Sequence, residues 1–153
     1  PAASRDVEMA HGMKTGSGMI GRLPKPLSFK SFLLLVRKQM KARVIRHTTD
    51  TGRKISRVAI CGGSGSFLLN EAIGRKADVL LTADFKYHGF FDAENKIVIA
   101  DIGHYESEQF TGELLQDWLM ENFSIFVPRL KKGEKRIPLL LTGINTNPIN
   151  YFT

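Results

Sequence analysis

Three apolar runs in the middle of the chain constrain its fold more than any other feature of the sequence. They lie at residues 58–61, 79–82 and 97–101, and each is followed by a polar segment and then by a helix-like pattern. Apolar runs of this length, bounded by turn residues, are typical of strands buried in a parallel sheet. Strands that alternate with helices indicate βαβ units. The sequence therefore predicts an α/β fold with a mainly parallel or mixed sheet flanked by helices.

The flanking segments predict further elements. A short strand is predicted at residues 19–23, stopped by Pro24 and Pro26, because proline interrupts a strand ladder. Ser28 is a suitable N-cap for the helix that follows it. Polar residues interrupt the pattern at 44–48, which predicts an edge strand. The remaining predicted elements are helices at 66–75, 84–93 and from 104 onward, and closing strands at 125–127 and 138–142.

Length and composition bound the kind of protein. The 153 residues suit one domain with a substantial core, and 42% hydrophobic and 24% charged residues are ordinary for a globular protein. Residues 1–17 show no hydrophobic period and are predicted to be a tail or the remnant of a preceding segment, with the α/β domain at 18–153. No stretch approaches the roughly 20 apolar residues of a membrane span. The single cysteine, Cys61, excludes an internal disulfide and favours a reducing compartment, so we expect a cytoplasmic protein.

The net charge of +7 raises the question of a nucleic-acid partner. The basic residues are scattered along the sequence, and the densest run, at 129–136, centres on Gly133 between two apolar segments. This arrangement favours a solvated loop over a binding patch. We therefore expect no nucleic-acid partner.

A histidine and a glutamate follow the third apolar run. The strand ends at Asp101, the chain turns through Gly103, and a helix is predicted to begin at His104. His104 and Glu108 are i and i+4, so they would be neighbours on that helix and could share a metal ion. They fall on the same stripe as Leu115 and Leu119, which predicts that both face the protein body. Alternatively, the carboxylate only stabilises the first helical turn.

The segments after the other two runs are also polar. The first segment is Gly62, Gly63, Ser64, Gly65 and Ser66. Its glycines would let the backbone approach an anion closely. Alternatively, the segment forms only a tight turn. In Thr82–His88, a helix would place Asp84 and His88 at i and i+4 as metal ligands, proton-transfer groups or supporting partners. Alternatively, Asp84 caps a helix and His88 lies on the surface.

The three polar segments should lie close together in space. The carboxyl ends of parallel strands meet at one edge of a sheet, which is where ligands bind in open α/β folds. The sequence therefore predicts one crevice that collects all three segments. Lys86 would add positive charge there if its ammonium group reaches the crevice.

Five motifs occur in order along the chain. They lie at residues 18–24, 61–66, 82–88, 103–108 and 145–148. Together they resemble the C-terminal half of the NGG-interacting-factor-three-like family, whose members are also called GTP cyclohydrolase 1 type 2 homologues. Each motif alone is weakly specific, whereas the ordered set is specific.

This resemblance implies a dinuclear metal site with two divalent transition-metal ions, such as zinc, manganese or iron. His104 and Glu108 match two of the family's ligands, and Thr82–His88 matches a motif near that site, with Ala83 replacing the usual glycine. The remaining ligands, a His pair and an Asp, belong to an N-terminal half that we expect to be absent from this chain. The resemblance also implies a homo-oligomer in the form of a hexameric ring.

We therefore expect a hydrolase-like protein that acts on a small anionic substrate, phosphorylated or nucleotide-like. A metal-bound water would be the nucleophile. His104 and Glu108 would hold metal, Asp84 or His88 would assist by proton transfer or by supporting a ligand, and Gly62–Ser66 would contact the anionic group. The alternative is a non-catalytic metal-binding regulatory or scaffold protein.

Overall fold

A five-stranded mixed sheet forms the centre of the protein. The computed structural model describes residues 7–8, 14–126 and 139–152. The strand order is β3-β5-β6-β7-β4, in which β5, β6 and β7 are parallel and the two outer strands are antiparallel to their neighbours. This arrangement confirms the predicted α/β fold. The strands are β3 (Met19–Leu27), β4 (Arg46–His47), β5 (Ile55–Ser64), β6 (Val79–Ala83) and β7 (Val98–Asp101). 

A separate pair of two-residue strands precedes this sheet. β1 (Val7–Glu8) pairs with β2 (Lys14–Thr15) in antiparallel register. Among the described residues, the α-helices are α1 (Phe29–Gln39), α2 (Leu69–Gly74), α3 (His104–Glu108) and α4 (Thr111–Phe126). Short 3₁₀ helices at Ser66–Leu68 and Tyr87–Ala93 follow β5 and β6. No helix among the described residues is long and apolar enough to cross a membrane.

The sheet is the middle layer between two helices. Successive residues of a strand point to opposite faces, so Val79 and Leu81 pack in one apolar cluster and Leu80 packs in the other. The first cluster contains the buried residues of α1, Phe32 and Val36, and the second contains buried residues of α2. The central strands are therefore buried on both faces, which explains their continuous apolar sequence.

The first helix begins where the sequence predicts. Ser28 is extended, and its hydroxyl accepts a hydrogen bond from the backbone N–H of Ser31 at 3.2 Å. The strand before it is longer than predicted, because β3 continues through Pro24 and Pro26 to Leu27. β3 lies at the edge of the sheet, and its pairing with β5 is interrupted between Arg22 and Leu27. Prolines at such an edge cost no ladder hydrogen bond.

Other predicted boundaries were wrong. Residues 125 and 126 end α4 and do not form a closing strand, while 139–142 have no regular structure; residues 127 and 138 of those predictions lie outside the described residues. The helix predicted from 104 onward is interrupted, since α3 ends at Glu108 and α4 begins at Thr111. A short apolar run fits a helix as well as a strand, because periodicity cannot distinguish the two over so few residues.

The chain divides into two compact units. The first comprises residues 1–107 and contains the five-stranded sheet, α1 and α2. The second comprises 108–153 and contains α4. Within the second unit, the Gln116 side chain donates a hydrogen bond to the Leu139 carbonyl at 2.6 Å, which ties the described C-terminal segment to the helix.

Candidate functional site

The three polar segments meet at one edge of the sheet. β5, β6 and β7 are parallel and end at Ser64, Ala83 and Asp101. The Thr82 hydroxyl donates to the Gly63 carbonyl at 3.0 Å, which joins the first two segments. The Gly63 N–H donates to the Ser107 hydroxyl at 2.8 Å, which joins the first to the third. The predicted convergence is therefore present as direct hydrogen bonds.

An aspartate and a histidine pair at this edge. Asp84 Oδ2 and His104 Nδ1 lie 2.5 Å apart, and the two side chains are 46% and 51% exposed. Asp84 directly follows β6 and has a left-handed backbone with a φ of 57°. Aspartate tolerates this conformation better than most residues. The turn directs its carboxylate to the start of α3, whose first residue is His104.

A buried carboxylate supports that turn. Asp101 is 2% exposed, and its Oδ2 accepts a hydrogen bond from the Phe85 N–H at 2.9 Å. Its Oδ1 accepts another from the Gly103 N–H at 3.0 Å. Asp101 therefore fixes the backbone next to Asp84 and next to His104 simultaneously.

Arg46 of the edge strand completes this arrangement. Its guanidinium forms an ion pair with Asp101 and also donates to the Phe85 carbonyl at 3.0 Å. The guanidinium lies over the Phe90 ring, 5.5 Å from the centroid. Sequence reasoning assigned no role to either charged residue. The available signal was Asp101 itself, a carboxylate at the end of an otherwise apolar run that needs a partner when buried.

The predicted pairing of Asp84 with His88 was wrong. Asp84 is left-handed and Lys86 is extended, so the helix begins only at Tyr87 and is a 3₁₀ helix. The two residues are therefore not one α-helical turn apart. His88 is exposed, and its ring contacts the Tyr87 ring edge-on at a centroid distance of 5.2 Å. The turn required to bring Asp84 to His104 excludes the predicted helix start.

The predicted inward orientation of His104 and Glu108 was also wrong. Both side chains are exposed, whereas Glu106 between them is buried at 4% exposure. The stripe shared with Leu115 and Leu119 required one continuous helix, and the chain has two. His104 and Glu108 do keep the i and i+4 spacing, as the first and last residues of α3.

The glycine-rich segment is less of a loop than its composition indicates. Gly62, Gly63 and Ser64 belong to β5, and Gly63 has a left-handed backbone with a φ of 60°, which glycine adopts without strain. Gly65 is packed so closely that a Cβ there would meet the Thr82 hydroxyl and would lie 2.7 Å from the Cys61 Cβ. Packing alone therefore accounts for Gly65. Gly62, Ser64 and Ser66 are exposed at the edge, and anion contact by this segment stays a prediction.

The donor chemistry of the site fits part of a metal centre. Among the residues that the structure describes, no three His, Cys, Asp or Glu side chains are close enough together to hold a metal ion. A metal-binding histidine commonly has its second ring nitrogen hydrogen-bonded to a carboxylate. Asp84 and His104 have this arrangement, in which Nε2 would be the metal ligand. Further ligands would have to come from beyond this pair.

Comparison with known proteins identifies the family. The family model for Duf34/NIF3 (NGG1p interacting factor 3) matches residues 3–132. The chain belongs to this family. A Staphylococcus epidermidis protein named GTP cyclohydrolase 1 type 2 homolog is 31% identical over 95% of the chain, and a Campylobacter jejuni protein of the same name is 34% identical over 82%. The family match begins within residues 1–17, the segment predicted to be a tail or the remnant of a preceding segment.

Solved structures support the same assignment. A Staphylococcus aureus protein of known crystal structure is similar over 90% of this chain, with a TM-score of 0.77 and 29% identity. A Bacillus cereus protein related to NIF3 is similar over 73%, with a TM-score of 0.63 and 28% identity. This chain spans only 38% and 46% of the two curated relatives, and 37% and 32% of the two solved chains.

Proposed function

We propose that this Duf34/NIF3 chain contributes to the active site of a dinuclear-metal-dependent hydrolase that acts on a phosphorylated or nucleotide-like substrate. The observation that carries the proposal is the hydrogen bond between Asp84 and His104 where three parallel strands end. His104 and Glu108, one helical turn apart in sequence, would be metal ligands. The other ligands would lie in parts of the protein outside this chain, which spans 38% of a curated relative.

The residues at the sheet edge have separate roles in this proposal. Asp84 orients the His104 ring and selects its tautomer through the contact with Nδ1. His88 is exposed near the start of the 3₁₀ helix and is the candidate for proton transfer. When bound, two zinc, manganese or iron ions would activate water and neutralise negative charge on the substrate.

The groups at the edge of the sheet where β5, β6 and β7 end suit a small anionic substrate. The hydroxyls of Ser64 and Ser66 and the ammonium of Lys86 belong to exposed residues of the converging segments. Hydroxyls, backbone amides and a cation bind phosphate oxygens well. The relatives' name, GTP cyclohydrolase 1 type 2 homolog, is consistent with a nucleotide-like compound. We further propose that the whole protein is cytoplasmic and assembles as a closed hexameric ring.

The second candidate is a metal-binding regulatory or scaffold protein without catalytic activity. The observation that favours it is the exposure of the pair, 46% for Asp84 and 51% for His104. A site this open excludes little water from its ligands, whereas electrostatic catalysis is strongest in a water-excluded site. Metal-dependent turnover distinguishes the two candidates.

The test uses the full-length protein, stripped of metal and reloaded separately with zinc, manganese and iron. Hydrolysis is assayed with a phosphomonoester and with GTP, for the wild type and for Asp84→Asn and His104→Gln. We expect metal-dependent turnover that falls by about 10- to 100-fold in Asp84→Asn and by at least as much in His104→Gln. His47→Gln is the matched control, because this exposed histidine lies on β4. Metal binding without turnover would support the scaffold candidate, and absence of both would refute both.

A further inference from the structure

A groove with an apolar floor lies beside α1, on the protein surface. Its floor consists of Phe29, Leu33 and Leu34 from the helix and Ile45 from the segment before β4. Leu34 is 56% exposed, although α1 already buries Phe32 and Val36 in the core. Phe29, Leu33 and Ile45 pack partly against that core, and their remaining surface together with Leu34 forms the apolar part of the groove. An apolar groove beside a helix is a typical docking site for an amphipathic helix.

The rim of this groove is cationic. Lys30, Arg37 and Arg43 line it, and no acidic residue does so. Within the described parts of the chain, none of these three side chains forms an ion pair. Between Lys25 and Arg57 the chain has ten Lys and Arg residues and one acidic residue, Asp50, so this segment carries more positive charge than the whole chain's +7. The partner of such a rim must be acidic.

The positions on α1 define the shape of the occupant. Lys30, Leu33, Leu34 and Arg37 are i, i+3, i+4 and i+7, so they form one stripe along two helical turns, about 10 Å long. Lys30 and Arg37 lie at the two ends of the stripe, and the two leucines lie between them. A partner helix with apolar residues on one face and carboxylates beside them matches this order of groups.

We propose that this groove docks an acidic amphipathic helix of a partner protein. The aliphatic floor favours a helix over a nucleic acid, which would be bound through phosphates and through base stacking on exposed aromatic rings. The single aromatic ring of the floor, Phe29, is already in edge contact with the His47 ring at a centroid distance of 5.1 Å. This surface is separate from the proposed metal ligands, and the proposal does not depend on hydrolytic activity.

The test measures fluorescence anisotropy of a labelled 16-residue synthetic helix with the full-length protein. The probe has leucines at i, i+3, i+4 and i+7 and glutamates beside them. One control peptide replaces every glutamate with lysine, and a second scrambles the sequence so that no apolar face remains. We expect saturable binding of the acidic helix alone, weakening as salt is raised. Binding of both control peptides as tightly as the probe would overturn the proposal.

Matched variants locate the binding surface. Arg37→Glu should weaken binding about tenfold by placing a carboxylate opposite the probe's own. Lys38→Glu makes the same charge change on the next residue of α1, which does not line the groove, and should change binding less than twofold. Leu34→Ser should weaken binding about fivefold through lost apolar burial, compared with Leu35→Ser outside the groove.

Competition distinguishes the other possible occupants. A mixed-sequence single-stranded DNA of 20 nucleotides and phosphatidylserine vesicles are titrated against the bound probe. We expect neither to displace it at concentrations where the unlabelled acidic helix does. If the DNA or the vesicles bind more tightly than the acidic helix, and if Arg37→Glu abolishes that binding, the helix proposal would be overturned in favour of that occupant. Failure of the folded full-length protein to bind the probe would refute it.

Discussion

Asp101→Asn removes the charge from a side chain that is 2% exposed while keeping its shape. The wild-type carboxylate accepts hydrogen bonds from the N–H groups of Phe85 and Gly103 and pairs with Arg46. An amide has one acceptor oxygen instead of two, so at least one buried donor loses its partner, at a cost of about 1–3 kcal/mol. Loss of the ion pair adds about 1 kcal/mol or less, because the Arg46 side chain is 55% exposed.

The combined loss of about 1–4 kcal/mol should appear as local opening of the turn after β6. Amide hydrogen exchange at Phe85 should become roughly 5- to 700-fold faster. Asp78→Asn is the matched control, because Oδ2 of Asp78 alone accepts both backbone hydrogen bonds, from Ser56 at 2.9 Å and Arg57 at 2.7 Å, so an amide oxygen in its place keeps both. This control should change exchange at those two amides far less and leave Phe85 unchanged. Equal exchange at Phe85 in the wild type and Asp101→Asn would refute the reasoning.

Two further predictions follow from single contacts. Gly65→Ala should destabilise the protein by about 2–4 kcal/mol in chemical denaturation, because its Cβ overlaps the Thr82 hydroxyl, whereas Gly74→Ala, with open space around it, should cost nothing or stabilise slightly. Equal effects would contradict the packing argument. Separately, the Lys96 ammonium lowers the pKa of Glu94 from 4.5 by hydrogen bonding and charge, so Lys96→Met should raise that pKa in an NMR titration. Because its pKa is lowered in the folded protein, Glu94 stabilises the fold at pH values above its ordinary, unfolded-state pKa. This contribution is lost as the pH falls through the pKa of the folded state.

The sheet was predictable because its signal lies within single strands. Val79–Ala83 is fully buried, so alternate residues pack on opposite faces of the sheet; four of the five are apolar, and the Thr82 hydroxyl is hydrogen-bonded to the Gly63 carbonyl. The convergence of the polar segments followed from parallel topology alone. Even the N-cap at Ser28 needed only local chemistry, a hydroxyl one residue before an apolar helix.

The orientation of the site residues was not predictable, because it depends on contacts that are distant in sequence. Asp84 leaves the helical conformation since Asp101, 16 residues after Phe85, holds the adjacent N–H. Arg46 acts on the same carboxylate from 55 residues away. Helical spacing also could not reveal the break between Glu108 and Thr111. Because of that break, His104 does not share an inward-facing stripe with the leucines of α4.

The central claim is that His104 binds metal with support from Asp84. The most direct measurement is anomalous diffraction from crystals of the full-length protein soaked in a zinc salt, with data collected on both sides of the zinc absorption edge. The account predicts an anomalous peak about 2.0–2.1 Å from His104 Nε2, with a Glu108 carboxylate oxygen also within bonding distance, and loss of this peak in His104→Gln crystals. An occupied zinc site elsewhere, with no peak at His104 in the wild type, would contradict it.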